Sequence, residues 1–213
     1  MSNDLLTGNV NWDEVAARWR YADTGRFVSE NVVRAELERH VQGVIETTQN
    51  LTRQMYAGQL NLSQWETAVA QELKSAHLAQ SMFANGGVAN MTSVEYGRVG
   101  GTLRDEYRYL HQFALDVQAG KVSELQAINR VAQYGNDSAQ SYWKEYARQQ
   151  ENAAWNNLPR LTRVPQDGST QCHGNCKCYL STQDDGIYWY TTALESCGDC
   201  IEMRNGNPYR PMV

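Results

Sequence analysis

A mainly α-helical chain followed by a small cysteine-rich β-hairpin module is the fold that three observations predict. Apolar residues recur at steps of three and four over much of the first 157 positions, capping patterns stand ahead of these runs, and all five cysteines lie between Cys172 and Cys200. From Ser29 to Ala57 the positions Val33, Leu37, Val41, Val44, Thr48, Leu51 and Met55 form one face of an amphipathic helix, which Gly58 ends. At about 1.5 Å per residue it would span roughly 43 Å.

Three further helices are expected behind caps in which a hydroxyl accepts from a helix amide and a side chain three residues on reaches back. The pairs are Ser63 with Glu66, Thr92 with Glu95, and Ser123 with Gln126. Behind the first run Trp65, Val69, Leu73, Ala76 and Phe83; behind the second Tyr96, Val99, Leu103, Tyr107, Leu110, Phe113 and Val117. The third carries Ile128, Val131, Ala139, Tyr142, Tyr146 and Trp155 and is weakened at Gly135. Turns at Gly86-Gly87 and Gly120 fold the chain into elongated helical hairpins. Ala57-Gly58-Gln59-Leu60 and Ala119-Gly120-Lys121-Val122 look alike, as two hairpins solving one turn problem would.

After Leu158-Pro159 turn residues rise and helical periodicity stops, which divides a helical domain, 1–157, from a zinc-ribbon-like tail, 158–213. Ile187 to Thr192 reads as a strand of aromatic and β-branched residues, entered through the turn Gln183-Asp184-Asp185-Gly186.

Composition narrows the function. With 19 basic against 24 acidic residues and a net charge of −5, nonspecific nucleic-acid binding is disfavoured. Met1 to Val10 lacks the form of a signal peptide, and no apolar run is long enough for a membrane span. An odd number of cysteines without an export signal is unlike a secreted disulfide framework and points to a reducing compartment of synthesis.

Cys172, Cys176 and Cys178 are followed, after eighteen residues, by Cys197-Gly198-Asp199-Cys200. Two thiol clusters on tight turns, brought together by a hairpin, are the arrangement of a structural zinc site. Five cysteines and His173 exceed what one four-coordinate ion takes, so four of the five cysteines are expected as ligands; Cys197 and Cys200 have the standard spacing. Reduced metal-free thiols, and disulfides formed in an oxidising medium, are the competing readings. A redox Cys-x-x-Cys usually opens a helix after a strand in a βαβ unit, which the pattern here lacks.

No catalytic set emerges, and enzymatic activity and a small-molecule substrate are not expected. His40, His77 and His111 each sit on a helix without a second histidine four residues away, as packing or solvent-facing residues do. Arg98, Arg104 and Arg108 with Asp105 and Glu106 read as a solvated face or a partner contact. Gly97, Gly100 and Gly101 follow no strand, so they are no phosphate loop, and they read as sites of close helix approach or a kink.

The run Gly58-Gln59-Leu60-Asn61-Leu62-Ser63-Gln64-Trp65, the segment Gly97-Arg98-Val99-Gly100, Tyr109-Leu110-His111-Gln112-Phe113-Ala114, and the tail from Gly168 through Asn175-Cys176-Lys177-Cys178 and Tyr188-Trp189 to Cys200 together resemble the head-morphogenesis, or minor capsid, proteins of tailed bacteriophages. The likeness runs from about Gly58 onward. It implies a minor structural or assembly protein of a phage head, made in the host cytoplasm and carried in the virion. Its implied partners are the portal protein, the major capsid protein and, in some members, the packaged DNA; no membrane is implied. Lys177 replaces an arginine common in the family, and Cys172-His173-Gly174 stands where a histidine often precedes the run, so the ligand set stays open. A zinc-containing nucleic-acid-binding or regulatory adaptor is the alternative reading.

Overall fold

The computed structural model describes residues 10–150, 153–173, 176–192 and 196–212. It is mainly helical, with a two-stranded antiparallel hairpin and a cysteine cluster near the C-terminus. The calls on the N-terminal segment before Val10, and on Gly174 and Asn175, lie outside the described residues.

Helix α1 spans Glu30–Tyr56, capped by Ser29, whose side chain accepts from the Val32 amide. Leu37, Val41, Val44 and Thr48 are buried along the face the periodicity marks. Helix α2, Leu62–Ala84, is capped two residues ahead of the expected position. Asn61 takes that place: its Oδ1 accepts from Gln64 N and its own amide donates to Gln64 Oε1, both at 2.9 Å. Asn and Ser cap equally well, and Asn61 already has the extended backbone that a cap needs after the Gly58 turn. Glu66 is thereby free to meet His111 at 2.9 Å.

Helix α3, Ser93–Gln118, and helix α4, Glu124–Asp137, carry the expected capping boxes at Thr92 and Ser123. The two similar turns are built alike. Gly58 and Gly120 have φ of +73° and +69°, and the next amide returns to a carbonyl of the last turn in each: Gln59 N to Gln54 O, Lys121 N to Asp116 O. Only glycine adopts that conformation without strain.

The third long run is two helices, α4 and α5, Gln140–Gln149, broken at Ser138-Ala139. Gly135 is no weak point. A Cβ there would lie 2.7 Å from Ile45 Cγ1 and 3.3 Å from the Ile45 backbone, so this glycine lets α4 pack onto α1. Gly97, Gly100 and Gly101 have open space instead and bring no described helix close. Trp155 stands outside α5 in a short 3-10 turn and donates from Nε1 to Asp184 O of the tail.

Strands β1, Val10–Asp13, and β2, Arg18–Tyr21, form an N-terminal hairpin without a counterpart in the helical periodicity. Trp12 occupies the space that a side chain at Gly86 would need, and Trp19 stacks on Phe83 while donating to its carbonyl. In the tail, β3, Tyr179–Gln183, pairs with β4, Gly186–Tyr190, through the Asp184-Asp185 turn. Tyr209 bonds both ways with Ile187, and Arg210 with the chain at Pro159 and Leu161, which ties the C-terminus to the hairpin.

Two apolar cores result. One gathers Trp65, Val69, Leu73, Leu103, Leu110, Phe113 and Val131 between helices. The other joins Leu37, Phe83, Tyr142 and Trp143 of the helices to Cys176, Cys178, Leu180, Ile187 and Trp189 of the tail. Between helices lies a buried polar layer: His77 is 0% exposed, with Nδ1 2.7 Å from Ser141 Oγ and Nε2 2.9 Å from Glu106 Oε2. Arg98 donates to both Glu145 oxygens. Arg98 and Glu106 therefore belong to the interior contacts, whereas Arg104 and Arg108 stay exposed. Among the described residues no helix is long and apolar enough to cross a membrane.

The two kinds of glycine should answer alanine with opposite signs. Gly135→Ala is expected to lower unfolding free energy by about 1–3 kcal/mol through overpacking, despite a propensity gain of about 1 kcal/mol. Gly100→Ala, facing open space within α3, should raise it by about 0.5–1 kcal/mol. Urea denaturation of both variants checks this, and equal signs would refute the packing role of Gly135.

Candidate metal centre

The first thiol cluster lies on the segment leading into β3, and the second opens helix α6, Gly198–Asn205, with Cys197 at its N-cap. The second cluster is thus a helix start rather than a free tight turn. It follows β4, but in an antiparallel hairpin and not a βαβ unit.

Two polar contacts clamp the segments. Gln171 N donates to Asp199 Oδ2 at 2.8 Å, and Gly198 N donates to Gln171 Oε1 at 3.2 Å. Arg163 Nη1 lies 3.8 Å from Asp199 Oδ1 on the far side. Asp199, inside the Cys-x-x-Cys sequence, therefore orients its own turn against the other; spacing of cysteines carries no sign of this.

All five cysteines are free thiols, and they converge. Cys172, Cys197 and Cys200 form one triad of sulfurs within 4.8 Å of one another, and Cys176, Cys178 and Cys200 form a second. Cys200 belongs to both and is 1% exposed. Its sulfur lies 3.6 Å from Cys172 Sγ and 3.7 Å from Cys176 Sγ. Two sulfurs about 2.3 Å from one tetrahedral zinc stand roughly 3.8 Å apart, so these separations suit a shared ion. Cys172 and Cys197 approach to 3.0 Å. His173 is turned away: φ is 47° and its Nδ1 faces Gly168 O at 3.1 Å.

The thiols divide by acidity. The Cys178 thiol, hydrogen-bonded to Cys176 Sγ, outweighs burial and lowers Cys176 to about 6, while the same contact and burial push Cys178 upward. In the other triad burial opposes ionisation of Cys197, but hydrogen bonds from Cys172, the Cys200 backbone and Cys200 Sγ leave it lowered. Burial raises Cys172 and Cys200. Each triad so contains one sulfur shifted toward the thiolate, the form in which a thiol binds metal. A donor set of soft thiolates fits zinc, and these cysteines could hold a metal ion.

Ser141, His77 and Glu106 are a second constellation, absent from the cysteine pattern and spread over three helices. Its order is that of a hydrolytic triad. At 5% and 0% exposure, however, Ser141 and His77 are closed to substrate, and the bonds serve to tie α2, α3 and α5 together. His77 is a helix-packing residue, one of the two roles that its sequence position leaves open.

No protein-family model matches the chain, and no curated protein or solved structure matches it.

If Cys200 is the pivot, Cys200→Ser should weaken cobalt or zinc binding at least tenfold more than serine at Cys172, Cys176, Cys178 or Cys197. Asp199→Asn, which leaves every sulfur in place, should weaken it about 10- to 100-fold by loosening the clamp. Cobalt(II) titration followed by thiolate charge-transfer absorption measures both; five equal losses would remove Cys200 from its central place.

Proposed function

We propose that the chain is a minor structural or assembly protein of a tailed-phage head, whose cysteine-rich tail is fixed to a helical body by one thiolate-bound zinc ion. The observation that carries the structural role is the meeting of both cysteine segments at Cys200, inside a core shared with Leu37, Tyr142 and Trp143. A thiolate shell of this kind acts by holding chain segments together, since structural sites fill all four positions and leave none for substrate. The phage-head assignment rests on the resemblance of the glycine-led helical segments and of Asn175-Cys176-Lys177-Cys178 with Cys197-Gly198-Asp199-Cys200. Its partners are then the portal and major capsid proteins, with packaged DNA as a further contact. A nucleic-acid adaptor would need a surplus of positive charge in the tail, and residues 158–213 carry five basic against six acidic residues.

Purified reduced protein should contain about one equivalent of zinc per chain. Chelation should expose residues 159–212 to proteolysis while most helical circular dichroism persists. Co-expressed with portal and capsid proteins, the parent should enter heads and Cys200→Ser should not. Absence of zinc with an intact tail would overturn the metal reading; exclusion of the zinc-loaded parent from heads would overturn the phage reading alone.

A further inference from the structure

The N-terminal hairpin, the start of α1, the ends of α2 and α5 and the hairpin of the tail meet around a cavity of about 240 Å³. Protein interiors seldom leave a void larger than a water molecule, so a space of this size needs a cause. Its walls are rings that cannot turn inward to fill it. Trp19 stacks on Phe83 at 5.7 Å and donates from Nε1 to the Phe83 carbonyl. Tyr142 leans on Phe83 at 5.6 Å and stacks on Tyr146 at 5.9 Å, while Thr182 of the tail holds the Tyr146 hydroxyl. Arg18, Glu30, Gln183 and Asp184 line the cavity and are exposed, which puts its opening on their side.

One polar group on the wall is left unsatisfied. Tyr142 is 7% exposed, and its hydroxyl has no hydrogen-bond partner among the described residues. The groups whose charge it feels, Tyr146, Glu30 and Arg18, all line the cavity, so the hydroxyl is turned toward that space. Polar groups buried without a partner are uncommon. The neighbours have theirs: both Glu30 oxygens accept from Ser181, and Arg34 donates to Asn31 and lies over the Tyr179 ring.

Burial first, then Tyr146 and Glu30, push the ionisation of Tyr142 well above the ordinary phenol range, against a smaller opposite pull from Arg18. The group therefore stays a neutral hydroxyl that can accept as well as donate. Because Glu30 outweighs Arg18 there, a ligand edge bearing an N–H or O–H suits it better than a bare lone pair. Arg18 and Arg34 balance Glu30 and Asp184 on the wall, which leaves no net charge to hold an ion, and enclosing an ion among rings would cost its hydration. A dry apolar cavity of about 150 Å³ is enough to take up benzene.

We propose that this cavity binds a small uncharged aromatic molecule of one or two fused rings, packed against Trp19 and Tyr146 and anchored through an N–H or O–H on its edge to the Tyr142 hydroxyl. Apolar walls with a single placed polar group are the usual build of a small-molecule pocket. No cysteine lines it, so the site is independent of the metal centre and of the phage reading.

The test titrates indole into the full chain carrying ¹³C in its aromatic rings and follows the resonances of Trp12 and Trp19. Saturable shifts are expected there, with Trp65 in the core between the helices unmoved. Tyr142→Phe breaks no bond within the protein and should fold as the parent does. It should weaken indole about three- to tenfold, the worth of one hydrogen bond, and leave benzothiophene, a similar shape without the N–H, unchanged. Val33→Phe, which puts a ring into the space, should abolish binding of both. No saturable shift, unaltered binding in Val33→Phe, or an effect of Tyr142→Phe that is absent or equal for the two ligands would overturn the proposal. Tighter binding of a Gly-Trp-Gly peptide than of indole would overturn it in favour of a projecting side chain of a partner protein.

Discussion

The tail cannot bury itself. Its interior side chains, among them Val164, Cys176, Cys178, Leu180, Ile187, Trp189 and Cys200, share one core with Leu37, Phe83, Tyr142 and Trp143 of the helices. The two strands of the hairpin, the helix start at Cys197 and the C-terminal segment are all placed by that shared core. Tyr146 to Thr182, Ser181 to Glu30 and Trp155 to Asp184 then fix its orientation with directional bonds. Apolar burial brings the segments together, and the bonds select one way of doing so.

The same division of labour runs through the helical body. Trp65 is fully buried in the core between the helices and still donates from Nε1 to Thr52 Oγ1 at 3.0 Å. Gln80 reaches Ser138, and His77 joins Ser141 to Glu106. Helices that meet only through apolar faces can slide or rotate past one another with little penalty. Paired buried polar groups remove that freedom, because any shift leaves a donor without an acceptor.

The cysteines that could hold a metal ion meet at the edge of the shared core. The clamp of Gln171 and Asp199 holds the two cysteine segments in register independently of the thiols. A thiolate-bound ion at Cys200 would add a covalent-strength tie to a segment otherwise held by one face of a small hairpin. This is the physical sense of placing a soft-donor site in a tail with little core of its own.

Sequence by itself determined helices α1 to α4, two of the three expected capping pairs, the glycine turns and the cysteine module, because each is written in neighbours three or four residues apart or in a single glycine. It determined neither the break before α5 nor helix α6. Local rules could not choose between Asn61 and Ser63, since both satisfy the capping pattern. Nor could they assign Gly135 and Gly100 to opposite roles, which depend on whether Ile45 or solvent lies opposite. The N-terminal hairpin, the place of Cys200 in both sulfur triads and the Gln171–Asp199 clamp were decided only in three dimensions. Each arises from groups on separate elements, and their distances are set by how whole helices and the tail pack rather than by spacing along the chain.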